Sequence, residues 1–224
     1  TKGNAFKCSR FYQSNLCLTL TSRLYNPEMR AKVGLTGGIG CGKSLIARVF
    51  ETIGIPIFYS DIEAKRLYED KSFLEQIEKT FGREVVKNQV LQRAVLADIV
   101  FNDKDKLRQL NSMTHPKVFE MFSLWSSKQT SPYVIMESAI LFENNLQQNF
   151  DLTISISSPK DVIIKRVMQR DKCSEQQVVA RMSNQMSQEQ KDALADYVIK
   201  HDDKTMLIPQ LLTIHNSILS HLKE

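Results

Sequence analysis

Glycine is scarce in this 224-residue chain and absent after Gly82, and no Asn-Lys-x-Asp stretch occurs in it. A GTPase switch needs an Asp-x-x-Gly turn downstream of its phosphate loop and an Asn-Lys-x-Asp loop for the guanine, so that class is excluded. Cysteine is equally sparse: Cys8, Cys17, Cys41 and Cys173 lie far apart with no Cys-x-x-Cys pair. Such spacing supports neither a disulfide framework nor a zinc site, and it fits a reducing cytosol. Apolar runs are short and broken by charge, well below the roughly 18 residues that cross a bilayer, so no membrane partner is expected. Positive charge is missing where it would matter. The formal net charge is +5, but residues 1–28 hold +3 of it through Lys2, Lys7, Arg10 and Arg23 against Glu28, which leaves +2 for the rest. A body so nearly balanced is no polyanion-binding surface, and nucleic acid is not an expected partner.

What is present is a composition, 42% hydrophobic and 25% charged, able to bury a core. Residues 1–28 show no amphipathic period and stop before "MRAKVGLTGG". They read as an upstream extension, or a basic leader, ahead of a start at Met29, and are excluded from the fold. "KVGLT" then fits a buried parallel strand. Beyond the glycines, Leu45, Ile46, Val49, Phe50 and Ile53 fall at helical spacing, with Gly54 where a helix ends. "IPIFY" predicts a second strand, and Ser60 with Glu63 a capping box that opens a helix at Asp61. Residues 62–131 carry helical patterns, among them "KSFLEQIEKTFG" and "VLQRAVLADIVF", and no strand pattern, which predicts a helical insertion. Strands resume at "YVIMES" and "LTISIS". Ser158-Pro159 predicts the cap of "PKDVIIKRVMQR", Ser174 with Gln177 that of a helix to about Gln190, "DYVIK" a last strand and 205–222 a closing helix. Strands alternating with helices predict an α/β fold: a three-layer core with a doubly wound parallel sheet from 29–61 and 132–224, interrupted by the insertion.

Between the first strand and the first helix stands "GGIGCGKS", with Gly37, four residues, Gly42, Lys43 and Ser44 in the full P-loop pattern. Glycines let successive backbone N–H groups turn onto a phosphate, and the helix N-terminus adds the positive end of its dipole. Gly37, Gly38, Ile39, Gly40, Cys41, Gly42, Lys43, Ser44 and Leu45 are therefore the candidate nucleotide-binding stretch. Lys43 would reach the β- and γ-phosphates of ATP and Ser44 would ligate Mg²⁺. The dinucleotide fingerprint fails in every register, since Lys43 or Leu45 falls where its last glycine belongs. A motor or transporter ATPase would be longer and end a core strand in Asp-Glu, whereas "YVIMES" ends in Glu137 alone. Small size, the insertion and an Arg-rich helical pair late in the chain favour a small-molecule kinase. Kinases of nucleosides or their monophosphates, and a non-catalytic nucleotide-binding module, share the loop and stay open on this ground.

The ordered set "VGLTGGIGCGKS", "SDIEAKRLYE", "LNSMTHP", "ILFE", "KRVMQRDKCSEQQVVARMSNQ" and "ADYVI" resembles the dephospho-coenzyme A kinase family from Met29 to the C-terminus. The resemblance implies ATP-dependent phosphorylation of the ribose 3′-hydroxyl of dephospho-coenzyme A, the last step of coenzyme A synthesis. It also implies a P-loop core with a helical substrate domain and a lid, here at about 165–190, with no obligate protein partner. Asp61 falls on the second acid of the family's Asp-x-Asp, as acceptor or orienter of the ribose proton; Tyr59 replaces the first. Glu137 is implied as a Mg²⁺ ligand through water. Glu143 divides evenly between a structural acid and a substrate contact, in a run where Ala139 replaces proline. Arg170 matches the lid arginine. Arg166, four residues before it, would share its helix face and point at the same ligand. Arg93 and His115 match substrate-side positions, and His201 replaces an asparagine on the adenine side.

Overall fold

The computed structural model describes residues 30–101 and 103–222. The predicted extension at 1–28, with Cys8 and Cys17, lies outside the described residues.

The first strand, β1 (Ala31–Thr36), is buried at almost every position, as a strand covered on both faces must be. It runs into the glycine loop and then α1 (Lys43–Thr52), which buries Ile46, Ala47 and Phe50. Gly54, at φ +85°, ends that turn in the left-handed region. Next come β2 (Ile57–Tyr59), α2 (Ser60–Arg66), α3 (Lys71–Phe81), a short hairpin of β3 (Val86–Lys87) and β4 (Val90–Leu91), α4 (Arg93–Phe101) and α5 (Lys104–Ser127). The chain continues through β5 (Tyr133–Glu137), β6 (Leu152–Ser157), α6 (Lys160–Asp171), α7 (Glu175–Met182), α8 (Gln188–Leu194), β7 (Tyr197–Lys200) and α9 (Leu207–His221).

Five strands form one sheet in the order β2-β5-β1-β6-β7, and β1 pairs in parallel with both β5 and β6. The register sets Leu35 beside Glu137 on one side and Ile154 on the other. Neighbours on both sides of β1 make its carboxyl end a topological switch point, where open α/β sheets bind ligands.

The described residues up to Ile57, together with Gln129 onward, form one compact unit, and Phe58–Lys128 form a second. In the first unit Val33, Leu35, Ile135, Ile154 and Ile156 are buried in the sheet, and Leu211, Ile214 and Ile218 are buried on α9. The Tyr133 hydroxyl lies 2.8 Å from His215 Nδ1 and ties β5 to that helix. In the second unit α3 buries Phe73, Leu74, Ile77 and Phe81. Phe58 packs on Phe122 and Trp125 with ring centroids 5.3 and 5.4 Å apart. Asp70 and Asp103 cap α3 and α5 through side-chain oxygens.

Four local expectations are corrected. The insertion is not strand-free: Asn88 and Gln89, both with positive φ, turn the β3–β4 hairpin, which takes Val90 and Leu91 out of the helix that starts at Arg93. No Asn-Gly signalled that turn. Ser60 makes no capping box; it is the buried first residue of α2. Ser158 caps nothing either, because its hydroxyl donates to His201 O at 2.8 Å and lies 3.2 Å from Cys41 O. The helix opened by the Ser174–Gln177 capping box stops at Met182, and a second box, Ser187 with Gln190, opens α8.

Burial pushes the imidazoles of His115 and His215 below the ordinary histidine range. The unfolded chain therefore takes up these protons first. Stability is fully present above about pH 6.5 and is lost as pH falls through the lowered folded values. The urea midpoint should drop between pH 7.5 and 5.5, and His215→Gln should flatten that slope; an unchanged slope would exclude His215 as its source.

Candidate active site

Thr36, fully buried, ends β1 and delivers the chain into the loop. Gly40 and Gly42 take positive φ of +73° and +99°, which other residues adopt only under strain. Space is closed there as well. A methyl group on Gly42 would overlap the His201 ring, and one on Gly40 would overlap the Val167 side chain. The backbone can bend inward only because these neighbours stand where side chains would go. Among the described residues, no backbone carbonyl takes up the amides of Gly40, Gly42 or Ser44. Gly42 and Ser44 are orphan donors of the helix start and Gly40 adds a loop amide before it, the arrangement that holds phosphates. Lys43 folds back so that Nζ donates to Gly37 O at 2.9 Å and Gly38 O at 3.3 Å. Ser44 is exposed in the first turn of α1, as is Leu45.

Behind the loop the packing is polar. His201 Nδ1 lies 2.8 Å from Cys41 O and 3.2 Å from an Arg166 nitrogen. Donation to the carbonyl and acceptance from the guanidinium need different tautomers. The shorter contact favours Nδ1–H on Cys41 O, while Arg166 keeps Ser158 Oγ, His201 O and Asp203 as acceptors. Predicted on the adenine side, His201 thus braces the phosphate loop itself. Cys41 is wholly enclosed, and burial pushes its thiol up while Lys43 pulls the other way.

Arg166 and Arg170 do not converge on one ligand as their spacing suggested. Arg166 is committed to Asp203 and the His201 carbonyl. Arg170 grips Asp171 through Nε at 2.7 Å and Nη2 at 3.1 Å, and Arg181 reaches the same carboxylate at 2.6 Å. The two guanidiniums, Arg170 foremost, hold the Asp171 carboxyl below its usual range. Helix spacing could not reveal the acceptors of Arg166, since His201 and Asp203 come from beyond β7.

Glu137 ends β5, buried beside Leu35 of β1, so a carboxylate stands at the sheet's switch point. Glu143 is engaged within the protein. Its Oε1 receives the Lys191 ammonium at 2.7 Å and the Met186 amide at 3.1 Å. Lys191, with 0% of its side chain exposed, also donates to Ala139 O at 2.9 Å. Of its two sequence readings, the structural acid is the one this geometry favours. On the second unit, Asp61 is exposed in the first turn of α2, and no described residue hydrogen-bonds its carboxylate. Arg93 opens α4; burial pushes the Tyr68 phenol up, against the opposing pull of a Thr114 hydrogen bond and the Arg93 charge. His115 is half-buried on α5, one residue before Pro116 in the middle of that helix.

Sequence reasoning missed Asp171, Lys191 and Gln185, the last of which accepts a hydrogen bond from the Ile39 amide at 2.9 Å. "RD" beside a lid arginine could have suggested the first; nothing local signals the other two.

A strand, an amide-lined loop closed by lysine and serine, and a helix at the switch point of a parallel sheet define a P-loop nucleotide-binding protein. The family model described as "CoaE: Dephospho-CoA kinase" matches residues 31–206. A dephospho-CoA kinase of Bacteroides fragilis is 35% identical over 188 residues, 83% of this chain and 92% of that protein. One from Pseudoalteromonas translucida is 35% identical over 190 residues, with 84% and 90% covered. The crystal structure of TT1252 from Thermus thermophilus superposes with a TM-score of 0.75 at 30% identity, covering 86% of this chain and 98% of that one. A dephospho-CoA kinase from Campylobacter jejuni gives a TM-score of 0.60 at 29% identity, covering 85% and 98%. The chain belongs to the dephospho-CoA kinase family and is an ATP-dependent kinase.

Removing one partner of a buried ion pair leaves an uncompensated charge, a loss of about 3 kcal/mol or more. Glu143→Ala should lower unfolding stability by that amount, and adding Lys191→Met should recover most of it. Urea unfolding of the two variants checks this, and a double mutant no better than the single would refute the pairing as the cause.

Proposed function

We propose that this chain transfers the γ-phosphoryl group of ATP to the ribose 3′-hydroxyl of dephospho-CoA, giving CoA and ADP. The carrying observation is the phosphate loop, where the Gly40, Gly42 and Ser44 amides are left by other backbone groups and Lys43 stands on the loop's edge. The bond from the acceptor oxygen to phosphorus forms as the bond to the bridging oxygen of ADP breaks. Phosphoryl transfer of this kind is mostly positioning and charge neutralisation. Asp61, whose carboxylate no described residue engages, accepts the proton of the ribose hydroxyl. Lys43 meets charge on the transferred group, and Arg170, already oriented by Asp171, supplies a second cation from the lid. Arg93 and His115 belong to the acceptor side.

Among the described residues, no group of three or more His, Cys, Asp or Glu side chains could hold a metal ion by itself. That fits Mg²⁺, which stays largely hydrated and is held by one or two protein oxygens plus substrate phosphates. Ser44 Oγ and Glu137 are the residues that would hold it; bound there, it would neutralise charge across the β- and γ-phosphates. No helix among the described residues is long and apolar enough to cross a membrane, and Cys41 and Cys173 are free thiols, which supports work in the cytosol.

The test is incubation with ATP, Mg²⁺ and dephospho-CoA, with adenosine and AMP as parallel acceptors, followed by acceptor mass. A gain of one phosphoryl group on dephospho-CoA alone is expected, and transfer to another acceptor instead would overturn the reading. Lys43→Ala should lower turnover about 10²–10³-fold with the melting temperature nearly unchanged. Asp61→Asn should lower it at least about 10²-fold. Turnover of the Lys43 variant within a few-fold of the parent would remove that residue from its role.

A further inference from the structure

We infer that Gln185 reads the terminal phosphoryl group of the nucleotide and so distinguishes triphosphate from diphosphate, an inference that rests on the kinase reading above. The residue lies between α7 and α8, 146 positions from the loop it touches, and its Oε1 accepts from the Ile39 amide at 2.9 Å. The backbone on either side is fixed. Gln185 N donates to Met182 O at 3.0 Å. The next amide, Met186 N, donates to Glu143, which the buried Lys191 holds in place.

A carboxamide accepts through its oxygen and donates through its nitrogen. An amide N–H can meet only the oxygen, so Ile39 settles which way the side chain is turned. The Nε2 group then presents two N–H donors, and no described residue accepts from them. Gly38 lies against this carboxamide: a methyl group there would meet Gln185 Oε1 and Gln188 Oε1, each at 3.7 Å, in ordinary contact.

Lys43 tells which phosphate this edge faces. In a P-loop the amides cradle the α/β-phosphates and the lysine reaches the β/γ end. Lys43 Nζ rests on the carbonyls of Gly37 and Gly38, next to Ile39, so the Gly37–Ile39 edge is the β/γ end. Two neutral donors held at that edge suit phosphoryl oxygens that ADP does not possess. Gln185 is in this sense a specificity-determining residue, distinct in kind from the charged Lys43 and Arg170.

Gln185→Glu separates this role from simple bracing of the loop. The carboxylate keeps an oxygen for the Ile39 amide but replaces the N–H donors with a like charge. Calorimetric titration of the parent, Gln185→Glu and Gln185→Met with ATP and with ADP, in Mg²⁺ and without acceptor, gives the ratio of the two Kd values. Loss of a hydrogen bond to a charged group should weaken ATP binding of both variants about tenfold or more, while the Kd for ADP moves less than about twofold. Thermal unfolding checks that both variants are folded, and the methionine variant carries the test if the glutamate does not fold. An unchanged ATP-to-ADP ratio, or equal weakening of both nucleotides, would overturn the inference while leaving the kinase reading intact. A parent protein that binds neither nucleotide would overturn both.

Discussion

At the phosphate loop the backbone must come within reach of a polyanion, and the protein meets this constraint by standing other groups where the loop's side chains would be. The ring of His201 occupies the space beside Gly42 and the side chain of Val167 the space beside Gly40. The cradle is thus shaped from outside. His201, the residue after β7, supplies the contact to Cys41 O, and α6 supplies Val167. Ile39 packs into the Ile163, Val167 and Val178 cluster of α6 and α7. Unlike a free glycine-rich turn, such a loop has little conformational freedom left to lose when it binds.

The same packing assigns different duties to groups of like charge. Lys191 is wholly buried on Glu143 and Ala139 O, and the half-buried Arg166 is engaged by Asp203 and His201 O. Lys43, Arg170 and Arg181 keep exposed or partly exposed positions. A buried cation without its partner is very costly, so inward placement marks a structural role as clearly as outward placement marks availability to substrate.

Much of the fold was legible in the sequence because its signals are local. A short β-branched and apolar run gave β1, a 3.6-residue period gave α1, and the Ser174–Gln177 pair gave the start of α7. The P-loop was legible because phosphate binding by backbone demands glycine at fixed offsets from a lysine. The misses are of another kind. The β3–β4 hairpin turns on Asn88 and Gln89, of which only Asn has a marked taste for positive φ. Asp203 for Arg166, Met186 for Glu143 and Gln185 for Ile39 lie 37, 43 and 146 residues away, beyond any local pattern. Ser158 shows the limit well: a Ser-Pro before a helix looks like a cap, yet its hydroxyl lies against two carbonyls brought together only by the tertiary fold.

The Asp171 carboxylate, shared between Arg170 and Arg181, has a consequence for how an anion is met. Two long cationic side chains would ordinarily lose considerable rotamer freedom on closing around a ligand. Here one carboxylate has already gathered them at one place and leaves a single net positive charge. In the proposed lid role, an arriving phosphate would meet the remaining N–H edges of two guanidiniums already ordered, and part of the entropic penalty of binding would fall on folding instead.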